Sequence, residues 1–354
     1  MQQPMNMEIA GTPDNRETGA AVRKTSTWMG GSAMAMLALF IVAMIGPAVL
    51  DSYMLRFVAL AFMYLALAQS WNLIGGYAGL MSLAMPAFFG AGAIVSGVLV
   101  SVGVNGILAI FGGVLVALLI AALIAVPTLR LQGHYFVVAT ILISEALRNA
   151  LLNVDFPWFS GSTALNIFNH TGLAHLDPRQ YNIFFYYVLF GLAAVAMLTV
   201  FYLERSRWGY ALRSVRDSER AANALGINAA RQKLMIFLIS AAMSAVVGGV
   251  WAFWLGIVET NDAFSWAFTF DVIVMVFLGG RGTLWGPVAG VCLVLAVNEW
   301  IGVGFPELHL VISGVLVTIV VLFQPDGLVR LGTGGWRAIS PSQLKANLLR
   351  YKVK

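Results

Sequence analysis

Charge is what this sequence has least of. Only 10% of its 354 residues are Asp, Glu, Lys or Arg, and 60% are hydrophobic, whereas a soluble domain carries about 25% charged residues. The mean hydropathy of +0.84 agrees. A chain of this length has room for roughly ten spans of about 20 residues plus loops, and little for a separate soluble domain. Cysteine is nearly absent: Cys292 stands alone in an apolar run, which rules out a disulfide framework or a CxxC site. There is no GxxxxGK[ST] phosphate loop, no HExxH and no GxSxG elbow, so neither ATP hydrolysis by this chain nor a standard hydrolase is expected. The four histidines, His134, His170, His175 and His309, are scattered, and no metal site is expected. The net charge of +5 is not read as nucleic-acid affinity, because the basic residues border apolar runs, where they set topology and meet anionic lipid.

What is present is a succession of apolar stretches. Spans are expected near 33–50, 56–74, 81–101, 106–126, 135–152, 182–203, 233–257, 268–280, 285–302 and 308–323. The eighth is short and is expected either to cross or to re-enter. The first ~30 residues lack the apolar core and small-residue cleavage site of a secretory signal. They are expected to form a disordered tail, 1–32, before a membrane domain, 33–323, and a polar tail, 324–354.

An even number of spans puts both termini on one side. With that side cytoplasmic, all of the 21 Lys and Arg residues except Arg56, Arg148 and Arg179 fall inside, as the positive-inside rule requires. The fold expected is an all-α polytopic membrane protein with about ten transmembrane helices, some short or broken, and both termini cytoplasmic.

One long polar gap interrupts the array, from Glu204 to Lys233, and it is strongly basic. Charge at the bilayer centre costs roughly 2.5–3.5 kcal/mol or more per residue, so this stretch must lie outside the hydrocarbon. Within it Asp217-Ser218-Glu219 supplies a helix start, Gly226 a helix stop, and Ala221, Ala222, Ala224 and Leu225 a small apolar face suited to a partner's groove.

Other residues stand out against the apolar background. Gly282, Gly286 and Gly290 lie four apart, a small-residue ridge for close helix approach. Pro86 is expected to kink span three, next to Ser82 and Met85. Glu145 and Arg148 share a helical face and can pair inside the membrane, while Asp271 and Glu299 are expected near span ends.

Ala221-Ala222-x-x-x-Gly226 resembles the coupling-loop motif of ABC importer permeases. Gly209-Tyr210-Ala211-Leu212-Arg213-Ser214-Val215-Arg216, Leu225-Gly226-Ile227-Asn228, Leu129-Arg130-Leu131-Gln132-Gly133-His134-Tyr135, the Glu145/Arg148 pair, the run Gly279–Gly290 and Gln324-Pro325-Asp326-Gly327-Leu328 are similar to the branched-chain amino acid permease family. The resemblance covers about residues 56–330. It implies half of a translocation pathway, completed by a second homologous permease in a bacterial inner membrane. Two cytoplasmic ATPase subunits would use the ATP, an extracytoplasmic binding protein would deliver substrate, and this chain would hold no cofactor. Residues 204–233 would couple to the ATPases through Glu219, Ala221, Ala222 and Gly226. Ser82, Met85, Pro86, Gly282, Gly286 and Gly290 would pack around the pathway. The sequence departs from the family's usual Gly-His-Ala at Ala84-Met85-Pro86-Ala87. Urea and short-chain amide permeases share the scaffold, and an ion-coupled secondary transporter remains the alternative of another class.

Overall fold

The computed structural model describes residues 34–302, apart from 35, 42, 130–132, 157–158 and 174. The two tails and the tenth expected span lie outside the described residues. The chain divides into two units, Met1–Leu50 and Asp51–Lys354. The first contributes the apolar helix α1, Met36–Val49.

The second unit is helical, with two small strand pairs. Its helices are α2 (Ser52–Trp71), α3 (Met85–Ser101), α4 (Gly106–Thr128), α5 (His134–Leu152), α6 (Pro178–Arg205), α7 (Arg207–Asp217), α8 (Glu219–Ala224), α9 (Ala229–Leu255), α10 (Thr260–Ala263), α11 (Trp266–Gly279) and α12 (Trp285–Gly302). Among the described residues six helical runs are long and apolar enough to cross a membrane, and α1, α3 and α12 are shorter apolar helices. Each span expected before residue 302 therefore coincides with an apolar helix. The short eighth span is lengthened by α10, so that Thr260–Gly279 makes a 20-residue run.

Contacts sort the connections into two ends. At one end the turn after α2, the α7–α8 segment and the α11–α12 turn meet: Arg216 donates to Gly76 O at 3.0 Å and Gly282 N to Asn72 Oδ1 at 2.8 Å. At the other end strand β3 (Leu165–Asn166), in the α5–α6 connection, pairs antiparallel with β4 (Ile257–Val258), which follows α9. The hairpin of β1 (Asp155–Phe156) and β2 (Phe159–Ser160) belongs to the same connection as β3. This is the sorting that alternating spans demand.

The centre is α2, α3 and α9, with α4 on α3 and α9, α6 on α2, and an α11–α12 hairpin against α2. In lipid there is no hydrophobic drive between helices, so close approach and buried hydrogen bonds must hold them. Both devices are visible. A Cβ at Gly92 would collide with the Ala245 carbonyl and one at Gly248 with the Phe89 carbonyl, so α3 and α9 touch backbone to backbone. Ala109, Gly113, Ala117, Ala121 and Ala125 give α4 a buried stripe of small residues at every fourth position. Between α2 and α9, Ser70 Oγ donates to Ser240 O at 2.9 Å, and Ser240 Oγ returns a bond to Ser70 O at 2.8 Å.

Three expectations change. Pro86 does not kink a helix: it occupies the first turn of α3, which begins at Met85 after the non-helical Leu80–Ala84. Proline is tolerated there because the first-turn N–H groups have no helical partner. The 282/286/290 ridge has two helical members. Gly286 and Gly290 lie on α12 and let it approach the carbonyls of Gly280 and Met275, whereas Gly282 sits in the preceding turn at φ +72°. The basic gap is shorter than expected, for α9 already begins at Ala229 and includes Lys233, and besides the expected short helix α8 it holds a second, α7.

Candidate functional site

The α7–α8 element is built by hydroxyl caps. Ser206 Oγ accepts from Gly209 N at 3.0 Å and starts α7; Ser218 Oγ accepts from Ala221 N at 3.3 Å and starts α8. Each satisfies an orphan first-turn donor, which stabilises the helix by about 1 kcal/mol. At Gly226 the backbone turns at φ +80°, a conformation open to glycine without strain. Asn228 then caps α9 through Arg231 N at 3.0 Å.

The element is fixed to the membrane helices from below. Ala222 is 1% exposed and packs with Val215 and Ala229, flanked by Ile227. Lys233, 6% exposed near the start of α9, reaches Glu219 Oε2 at 2.6 Å. Glu204, at the end of α6, accepts from the Tyr77 hydroxyl and lies 3.7 Å from Arg213 Nη2. Ala222 and Glu219 were expected on a docking face; the structure turns Ala222 away from it, while the Glu219 side chain stays 36% exposed. Ala222 points inward, because the short helix needs one apolar residue to seat on α7 and α9, and Glu219 is tied to Lys233. The outward surface carries Ala221, Ala224, Gly226 and Leu225, the last 78% exposed.

Arg216 connects this element to the rest. Its aliphatic stem crosses Gly79, where a Cβ would collide with its Cγ, and its guanidinium donates to Gly76 O at 3.0 Å. Gly76 belongs to a π-helical turn, Asn72–Tyr77, that continues α2; such turns recur at functional sites. From the same stretch Asn72 Nδ2 donates to Thr283 O at 2.9 Å, while Gln69 Nε2 donates to Leu284 O at 2.8 Å. Gly282 packs against both Gly76 and Arg216. Thus α7, the end of α2 and the α11–α12 turn form one bonded unit. Sequence reasoning missed Gln69 and Asn72, although two amides three residues apart in an apolar span were a legible signal.

The expected ion pair is present. Arg148 Nε lies 3.0 and 3.2 Å from the two Glu145 oxygens, and Nη2 completes a two-pronged contact. Arg148 Nη1 also donates to Asn261 Oδ1 at 2.7 Å, and Trp266 Nε1 to Glu145 Oε2 at 3.3 Å, so the pair ties α5 to α10 and α11. Asp271 lies within α11, not at an end, and accepts from Tyr64 OH at 3.1 Å. Ser82, Met85 and Pro86 are buried, and the stretch they flank holds α5: Leu83 N donates to Thr140 Oγ1 at 3.1 Å.

No group of three His, Cys, Asp or Glu residues among those described could hold a metal ion.

Residues 53–321 match a family model described as "Branched-chain amino acid transport system / permease component". The chain is 27% identical over 319 residues to the high-affinity branched-chain amino acid transport system permease protein LivM of Escherichia coli, covering 83% of this chain and 74% of that protein. Its counterpart in Salmonella typhimurium is 25% identical over 318 residues, with the same coverage. The permease protein LivH of Salmonella typhimurium is 31% identical over 138 residues, 38% of this chain and 44% of that protein. No solved structure matches.

Proposed function

The chain belongs to the branched-chain amino acid transport system permease family, and from that premise we propose that it is one of two paired membrane subunits of a bacterial inner-membrane ABC importer for branched-chain or similar amino acids. The matched stretch carries the apolar helices of a multi-pass membrane protein. The α7–α8 end faces the cytoplasm, in keeping with its basic charge, and both termini lie on that side. Two separate ATPase subunits dock there and use the ATP, and a soluble binding protein delivers substrate at the opposite end. This chain needs no cofactor of its own.

The observation that carries the coupling role is the construction of α8. Its apolar tip, Leu225, is exposed, while its other face is locked through Ala222 and the Glu219–Lys233 pair to α7 and α9, and α7 is bonded through Arg216 to the end of α2. A short helix built this way moves with the membrane helices when it is pushed. Small exposed residues around one apolar anchor suit a compact protein contact, where a few residues dominate the energy. Alternating access then requires that nucleotide and the loaded binding protein favour different states of the helices.

A second reading concerns α5. It is the least covered of the long helices and carries Glu145, Arg148 and Asn149. Such a face is disfavoured in lipid and suits the second permease subunit or an aqueous pathway.

The test is Leu225→Glu in the reconstituted transporter. Membrane insertion and substrate capture by the binding protein should be unchanged, while ATP hydrolysis ceases to respond to loaded binding protein and uptake falls at least about tenfold, as for loss of an interface anchor. Uptake by this chain without ATPases, or uptake indifferent to Leu225→Glu, would overturn the reading and favour an ion-coupled carrier.

A further inference from the structure

A cavity of about 570 Å³ opens at the ends of α6 and α9 farthest from α7 and α8. That size is ordinary for a small-molecule site. Its wall carries one positive and one negative side chain, Arg56 on α2 and Glu299 on α12. Each is aimed by a neutral group. Arg56 Nε donates to Asn182 Oδ1 at 3.0 Å, and Asn182 is only 3% exposed. The Tyr53 hydroxyl donates to Glu299 Oε1. Among the described residues no ion pair joins Arg56 to Glu299. The remaining wall is apolar and aromatic, with Phe57, Leu60, Trp254 and Leu255. Tyr181 fixes it by donating to the carbonyls of Phe253 at 2.8 Å and Trp254 at 3.0 Å.

Two opposite charges held apart at a membrane edge by neutral partners match a ligand that carries both charges itself. We propose that this cavity binds a zwitterionic α-amino acid with an apolar side chain, with Arg56 on its carboxylate and Glu299 on its ammonium. The guanidinium's remaining N–H groups form a planar fork suited to a carboxylate. Glu299 accepts from the ammonium, and the Phe57–Leu60–Trp254 wall covers the hydrocarbon part. Urea or a short amide would use neither charge, so the site discriminates between the substrate classes that share this scaffold. The proposal rests on the importer reading for the cavity's place at the entry end of the pathway.

The assembled transporter in nanodiscs, without its soluble binding protein, is titrated with L-leucine, isoamylamine and 4-methylpentanoate, and intrinsic fluorescence is followed. A saturable leucine response is expected, and Trp254→Phe should remove it. Arg56→Gln and Glu299→Gln should each weaken leucine by about tenfold or more, as for a lost charge-assisted pair. Arg56→Gln should leave isoamylamine binding as it was, and Glu299→Gln should leave 4-methylpentanoate as it was; each retained ligand also reports that the variant is folded. No saturable response, or equal weakening of all three ligands by both variants, would overturn the site. Full-rate, ATP-driven leucine uptake in the Arg56→Gln/Glu299→Gln double variant would overturn the site and leave the importer reading standing. Leucine binding without any ATP-dependent uptake would do the reverse.

Discussion

Helices α4 and α5 are neighbours in sequence and both lie at the edge of the bundle, yet they treat their uncovered surface in opposite ways. In α4 33% of the most apolar stretch is buried, and the exposed remainder, including Ile107, Phe111, Leu115, Leu119 and Leu123, carries no polar group. In α5 only 17% is buried, by the seam Phe136, Thr140 and Ser144, and the open faces mix Val138 and Leu142 with Glu145, Arg148 and Asn149. Exposure alone therefore does not mean contact with lipid. A helix whose open face is purely apolar is finished by acyl chains, and one that leaves polar groups uncovered is finished by protein or water.

The comparison can be broken most severely on the covered side. A Cβ at Gly113 would stand 2.9 Å from Gly92 O, where α4 meets α3. Gly113→Leu is expected to cost upwards of about 3 kcal/mol through backbone displacement, and size-exclusion chromatography after detergent extraction should show no monodisperse protein. Next come matched charges on the two open faces. Leu119→Arg on α4 should lower membrane insertion by the roughly 2.5–3.5 kcal/mol of a charge at mid-span. Leu142→Arg on α5 should cost clearly less; equal losses in an insertion assay would place α5 against lipid and dissolve the contrast.

The ion pair sharpens the contrast further. Arg148→Ala strands Glu145, and uptake should fall about tenfold, while the Glu145→Ala/Arg148→Ala double variant should recover part of it. The pair is part-exposed, so its net stabilisation should stay within about 1 kcal/mol unless a partner covers it. Single and double variants that behave alike would show that the two side chains act separately. An exposed cysteine offers a direct measure of what faces α5: after Cys292 is replaced, Ala146→Cys should cross-link to the second permease subunit and Leu123→Cys should not. The smallest effect is expected for Leu123→Ile on α4, within about 0.5 kcal/mol in thermal unfolding, since one branched alkyl group against acyl chains replaces another.

Much of this was legible from the chain. Apolar runs located the helices because a span must satisfy its own backbone and present hydrocarbon. Ser218 and Gly226 marked the start and stop of α8, since capping and positive φ are local requirements. Glu145 and Arg148 were read as partners because a spacing of three puts them on one helical face. The inward turn of Ala222 was not legible. An alanine fits a groove on a partner as well as one on its own chain, and only the arrival of Val215 and Ala229 decides between them. The fate of Gly282 likewise depended on where α12 begins.

The sequence by itself determined that the chain is a helical membrane protein, which family it resembles, and which connections gather at the basic end. These follow from one-dimensional properties, hydropathy, charge and local backbone preference. The tertiary structure alone decided that Arg216, Asn72 and Gly282 form one junction between the α7–α8 element and the membrane helices. It alone brought Arg56 and Glu299 to one cavity wall. Those residues lie far apart in the chain, and no local preference relates them; they meet because small residues let the helices between them approach closely, in a packing that hydropathy does not encode.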